Sequence, residues 1–125
     1  MTRMPQSYKA SLRTDVRRPA SERLEPRLAA ALEGLTGHTW VSGNLGLSDL
    51  KLTFFPARSG NGSTAISLPL ELVEEVEVAG GRLGRVLGVH ACGYVVWVRV
   101  LNARTVAEDV AQRATDRRAR TAGVR

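Results

Sequence analysis

Long hydrophobic runs are missing from this 125-residue chain: no uninterrupted apolar stretch exceeds five residues, as in Tyr94 to Val98, against the ~20 that a membrane-spanning helix requires. The first thirty residues likewise hold no apolar segment of the kind that directs secretion. Cysteine occurs once, at Cys92, which excludes an internal disulfide and a cysteine-based metal site and fits a reducing compartment. Lysine is scarce, two residues against sixteen arginines, and aromatics make up only 5%, so each aromatic position carries weight. These absences predict a cytoplasmic protein, with peripheral membrane association left open to its basic ends. What is present is ordinary for one globular domain, 43% hydrophobic and 24% charged.

The net charge of +6 is unevenly placed. Residues 1–20 carry Arg3, Lys9, Arg13, Arg17 and Arg18 against Asp15, net +4, and residues 113–125 carry Arg113, Arg117, Arg118, Arg120 and Arg125 against Asp116, also +4. The stretch between them is −2. Any attraction to a phosphate-rich partner is therefore expected at the ends, with Arg13, Arg17, Arg18, Arg113, Arg117, Arg118 and Arg120 as the anion-, lipid- or nucleic-acid-binding candidates. The other reading of the same pattern is that arginine-rich ends merely keep the protein soluble.

Residues 1–20, cut by Pro5 and Pro19 and lacking sustained apolar periodicity, read as a basic flexible arm. A single domain is expected over 21–118, followed by a basic tail at 119–125. Pro26 suits a first helical turn, Leu28, Ala31, Leu32 and Leu35 follow at helical spacing, and Gly34 suits the C-terminal end, which predicts a short helix over 26–34. The period then becomes two. Thr39 and Val41, Leu45 and Leu47, and Leu50, Leu52 and Phe54 mark three consecutive strands, with turns at Ser42-Gly43-Asn44 and Ser48-Asp49. Residues 58–63 read as an open loop. Ile66, Leu68 and Leu70, then Val76 and Val78, then 86–90 and 94–101 complete about seven strands over 36–101, with Pro69 at an edge and Ala91-Cys92-Gly93 closing a hairpin. Asn102 is placed to cap a helix over 103–118, whose Ala103, Val106, Ala107, Val110, Ala111 and Ala114 form one small apolar stripe. Its Asp109 and Arg113 stand at i,i+4 spacing.

The segment Gly43-Asn-Leu-Gly-Leu-Ser-Asp-Leu-Lys-Leu-Thr-Phe-Phe-Pro56, with the later Ile66-Ser-Leu-Pro-Leu and Val76-Glu-Val stretches, resembles the GRAM and bacterial pleckstrin-homology-like (PH-like) family. Ser48 and Lys51 stand where that pattern more often has Thr and Arg. The resemblance covers about residues 36–115 and implies a mainly β (α+β) fold: a barrel of about seven antiparallel strands capped by a C-terminal amphipathic helix, to which the helix at 26–34 is an extra. It implies core roles for Leu45, Leu47, Leu50, Leu52 and Phe54 and a turn at Gly43. It also implies a non-enzymatic binding or adaptor module for lipid head groups, peptides or proteins, without a cofactor or a small-molecule substrate. Phosphoinositide-binding members place a basic cluster in the loop between their first two strands. Here that loop reads as Ser42-Gly43-Asn44, which carries no basic residue, so the resemblance speaks for the fold more than for the ligand.

Few residues suggest chemistry. His90 and Cys92 are the one close imidazole–thiol pair, but they flank a hairpin turn with no oxyanion-stabilising group in view, and catalysis is not expected. His38 and His90 lack metal-ligand spacing, and no metal site is expected. The spacings Gly43-x-x-Gly46, Gly81-x-x-Gly84 and Gly84-x-x-x-Gly88 precede no helix and read as turns and kinks rather than phosphate cradles. Glu71, Glu74, Glu75 and Glu77 read as a solvated strand edge. Trp40, Phe55 and Trp97, with Arg99, fall opposite their strands' aliphatic sets, and either the N-terminal helix covers them or they form a partner or homodimer surface. The expected function is recognition of a protein partner or an anionic membrane surface, and the alternative is a small nucleic-acid-binding protein using its arginine-rich termini.

Overall fold

The computed structural model of the chain describes residues 5–16, 26–34, 40–57, 65–80 and 86–123. Its elements are β1 (Gln6–Val16), α1 (Pro26–Gly34), β2 (Val41–Leu47), β3 (Lys51–Pro56), β4 (Ile66–Pro69), a 3-10 turn (Leu70–Leu72), β5 (Val73–Ala79), β6 (Val86–Ala91), β7 (Tyr94–Val100) and α2 (Ala103–Gly123). The seven strands form one antiparallel sheet in the order β4-β3-β2-β1-β7-β6-β5, curled into a half-barrel with α2 packed against β5, β6 and the 3-10 turn.

The expected arm is the central strand. β1 alternates Tyr8, Ala10, Leu12 and Thr14, turned to the core, with Ser7, Lys9, Ser11, Arg13 and Asp15 on the opposite face. Its inward set includes a small residue and a hydroxyl, so the alternation is weakly hydrophobic and reads as none at all. The burial that makes it a strand comes from its two neighbours: Gln6–Leu12 pairs with β2 and Ala10–Val16 with β7. Thr14 is buried because its hydroxyl donates to the Leu32 carbonyl of α1, which ties the helix to the strand.

The count of seven strands holds, but its composition changes. Thr39–Val41 and Leu45–Leu47 are not two strands around a turn; residues 41–47 form one strand, and Ser42-Gly43-Asn44 runs through its middle. Gly43 is needed there for space rather than for turning, because a Cβ would collide with the Phe55 carbonyl and the Phe54 ring. The connection between the first two strands is therefore residues 17–40, with α1 inside it.

Elsewhere the local chemistry is as the sequence predicts. Between β2 and β3, the Ser48 hydroxyl accepts from the backbone N–H groups of Leu50 and Lys51, each at 3.2 Å. β4 is a sheet edge, which accommodates Pro69. Cys92 (φ 52°) and Gly93 (φ 93°) form the two-residue β6–β7 turn, with positive φ at both positions. Asn102 stands before α2 as expected, but with φ 58° rather than the extended backbone of a side-chain N-cap; its carbonyl accepts the Val106 N–H at 3.0 Å and the chain enters α2 through a left-handed turn. α2 continues to Gly123, through residues expected to lie in a tail.

The inner face of the sheet, Leu28 and Leu32 of α1, and Ala103, Val106, Ala107, Val110 and Ala114 of α2 form one buried cluster. Leu45, Leu47, Leu52 and Phe54 belong to it as expected, whereas Leu50 lies in the β2–β3 turn and is exposed.

Candidate binding face on the outside of the sheet

The face of the sheet turned away from the core brings the predicted surface residues together. Because side chains alternate along every strand, the pairing register sets out rows across this face. In one row Gly88, Trp97 and Arg13 are cross-strand neighbours on β6, β7 and β1, and Trp40 follows on the residue before β2. In the next, Val86, Arg99, Ser11 and Ser42 stand side by side. Lys9, Asn44 and Phe55 form a third, and Ser7, Gly46, Thr53 and Ser67 a fourth.

Trp97 is held in place rather than offered to a partner. Its ring lies over Gly88, where a Cβ would come within 2.8 Å of it, and its indole N–H donates to Asp15 Oδ2 at 2.9 Å. Trp40 sits between two cations, with the Arg99 guanidinium carbon 4.3 Å and that of Arg13 5.4 Å from its ring centroid, both within cation–π range. Arg13 also pairs with Asp15 at 3.5 Å. Phe55, by contrast, is 52% exposed. α1 does not cover these aromatics: its buried leucines belong to the core on the other face.

Two grooves flank this surface. One, of about 540 Å³, is lined by Lys9, Ser11, Ser42, Asn44, Arg99 and Leu101 among others, with no carboxylate among its described lining residues. The second, of about 340 Å³, runs past Gly46, Lys51, Thr53, Phe55 and Ser67. Lys9, Ser11 and Asn44 were not among the residues singled out in the sequence. Reading residues 1–20 as an arm hid the first two, and reading 42–44 as a turn hid the third; the polar alternation of Ser7, Lys9, Ser11, Arg13 and Asp15 is the signal that would have found Lys9 and Ser11.

The basic termini are divided by the fold. Arg113 is 3% exposed; its guanidinium bonds Asp109 Oδ1 at 2.8 Å and the Leu47 carbonyl at 3.4 Å and lies 3.7 Å from Asp49 Oδ1. Arg117 bonds Glu71 Oε2 at 2.9 Å. Both charges are engaged by carboxylates that fasten α2 to the rest of the fold; Arg113 is withdrawn from the surface where a polyanion would meet it, whereas Arg117 keeps a third of its side chain exposed. Arg118 and Arg120 are exposed on α2, Arg13 belongs to the outer face, and Arg17 and Arg18 lie outside the described residues. In the same region, Tyr8 has its hydroxyl pKa raised above 10.0, chiefly by burial and further by the nearby Asp109 carboxylate, with Arg113 opposing.

The acidic run has specific jobs. Glu71 holds Arg117, Glu74 Oε1 accepts the Cys92 backbone N–H at 3.2 Å, and Glu77 Oε1 lies 2.9 Å from His90 Nε2. His90 thus faces Glu77 on the outer surface, while Cys92 is buried in the hairpin turn. Among the described residues no group of three His, Cys, Asp or Glu is arranged to hold a metal ion; His38 lies outside them.

No family model and no curated protein matches the chain. Solved structures do. The N-terminal PH domain of human ARAP2 superposes with a TM-score of 0.57 at 10% identity, covering 97% of this chain and 84% of that one. The N-terminal PH domain of Vps36 gives 0.57 at 9% identity, covering 93% and 80%. The C-terminal phosphotyrosine interaction domain of mouse APBB2 gives 0.53 at 16% identity, covering 92% and 88%. At these identities the likeness defines the fold, which is PH-like.

Proposed function

We propose that this chain is a non-enzymatic binding module that holds an anionic partner, whether a membrane leaflet, an acidic protein surface or a nucleic acid, on the outer face of its sheet. The observation that carries this reading is the groove that Lys9 and Arg99 line together beside the Ser11 and Ser42 hydroxyls, with no acidic side chain among its described lining residues. Two cations sharing one concave surface focus potential more than the same charges on a convex one. The β1–β2 connection, where phosphoinositide-binding relatives concentrate basic residues, is nearly balanced here: four arginines against three glutamates. That favours the outer face over the loop. The PH-like neighbours, PH and phosphotyrosine interaction domains, support a binding role in general terms.

The test is retention of the full-length chain on heparin resin and flotation with phosphatidylserine-rich vesicles. The Lys9→Glu/Arg99→Glu variant is expected to lose most of both, and Arg118→Glu/Arg120→Glu to keep most of both. Equal loss in the two variants, or no retention by the natural chain, overturns the reading.

A further inference from the structure

We propose that the outer face of β7, β1, β2 and β3 is a platform for single-stranded nucleic acid, an inference that rests on the reading that this face takes an anionic partner. Charge alone does not distinguish polyanions; the floor and the pillars of this surface do.

The floor is made of short polar side chains. Ser11, Ser42, Asn44, Gly46, Thr53 and Ser67 all point outward from neighbouring strands, and paired hydroxyls cross the strands at Ser11–Ser42 (3.4 Å) and Thr53–Ser67 (3.2 Å). Such a floor lets a flat ring approach the sheet and offers donors and acceptors to base edges and sugar hydroxyls. At Gly46 a Cβ would just touch the Phe55 ring and the Thr53 carbonyl, each at 3.8 Å, so one edge of the Phe55 ring stands against the bare backbone of the floor. Phe55 rises from this floor half-exposed and bounds the second groove. Trp40 is partly exposed, with two arginines beside its ring. From the strand rise and spacing, Trp40 and Phe55 stand about 14 Å apart.

Around these aromatics lie Lys9, Lys51, Arg13 and Arg99. Across the described parts of β1, β2, β3 and β7 the one carboxylate on this face is Asp15, at its far end and already bonded to Trp97 and near Arg13. Aromatic pillars on a sheet, cations at the margin and polar groups between them are what a sequence-tolerant single-strand site requires: stacking for the bases and charge for the backbone. A lipid surface needs the cations but not an exposed ring over a hydroxyl-lined floor. A duplex hides the base faces that Phe55 would stack on.

The experiment is fluorescence anisotropy of labelled oligo-uridine and oligo-thymidine of about twelve nucleotides, titrated with the full-length chain, beside the heparin retention described above. Binding of the single strands is expected to be several-fold tighter than binding of a duplex of the same length. Phe55→Ala is expected to weaken single-strand binding by about ten- to a hundredfold and heparin retention far less, because Lys9 and Arg99 remain, with a small loss of melting temperature from the half of the ring that packs on the sheet. Lys9→Glu/Arg99→Glu is expected to abolish both. Heparin retention without oligonucleotide binding refutes this proposal and leaves the anionic-partner reading standing; loss of both in the natural chain refutes both. Oligonucleotide binding indifferent to Phe55→Ala, or equal affinity for duplex, reduces the surface to a general polyanion contact and overturns the platform.

Discussion

Replacing Arg113 with methionine tests whether the C-terminal arginines serve the fold or a ligand. The side chain is 3% exposed and engages Asp109, the Leu47 carbonyl and Asp49. Methionine fills similar volume but leaves Asp49, 11% exposed, facing a neutral neighbour in a poorly solvated site. Removing one partner of a buried ion pair costs about 3–5 kcal/mol, because the remaining charge keeps its desolvation penalty. Against a total stability of about 5–15 kcal/mol for a domain, that is a large fraction, and it corresponds to a melting temperature lower by roughly 10–20 °C. Urea denaturation followed by circular dichroism measures it. Arg113→Met/Asp49→Asn, which neutralises the Asp49 carboxylate as well, is expected to recover part of the loss. A single variant within about 1 kcal/mol of the natural chain would show that the site is wet enough to hydrate Asp49, and the structural assignment of Arg113 would fail.

Three further outcomes are expected. A chain beginning at residue 18 lacks β1, so the sheet loses its centre and the product should show no cooperative thermal transition; a sharp transition would mean that β1 is dispensable. Gly88→Ala places a methyl group against the Trp97 ring and is expected to cost about 1–3 kcal/mol and to shift the tryptophan emission; unchanged stability with unchanged emission would refute the close contact. Because the folded-state pKa of Tyr8 is raised, folding favours the protonated phenol. Its contribution is intact below pH 10 and is lost as pH rises from there through the folded value, so Tyr8→Phe should flatten the alkaline decline in stability, and superimposable pH profiles would count against the burial of that hydroxyl.

How much was legible depended on how strongly each segment carried its own signal. α2 announced itself through alanine and valine at helical spacing, and the β6–β7 hairpin through a glycine turn between valine-rich strands. β1 did not, because Ala10 and Thr14 contribute little hydrophobic contrast; its strand character comes from partners 29 to 41 and 78 to 90 residues away. The Gly43 that resembled a turn is a contact between strands, information that resides in the position of Phe54 and Phe55. On the outer face of the sheet the alternation rule located Trp40, Phe55, Trp97 and Arg99, since it needs only the strand itself. It could not separate Trp97, which Asp15 immobilises, from Phe55, which is accessible. Arg113 and Arg117 could not be told from the exposed Arg118 and Arg120, because a count of charges is blind to the carboxylates that the fold sets beside the first two.

The dual pairing of β1 also bears on how the molecule comes into being. The strand made first on the ribosome is the one that joins the two halves of the sheet, and its second partner, Tyr94–Val100, is among the last to emerge. Until then β1 can lie only along β2, with its other edge, Ala10–Val16, unpaired. Contacts of such long sequence separation fold slowly, and an unpaired edge in a nascent chain invites wrong neighbours. The polar outer residues of β1, Ser11, Arg13 and Asp15, line that waiting edge, where charge discourages mispairing during the interval before the C-terminal half closes the sheet.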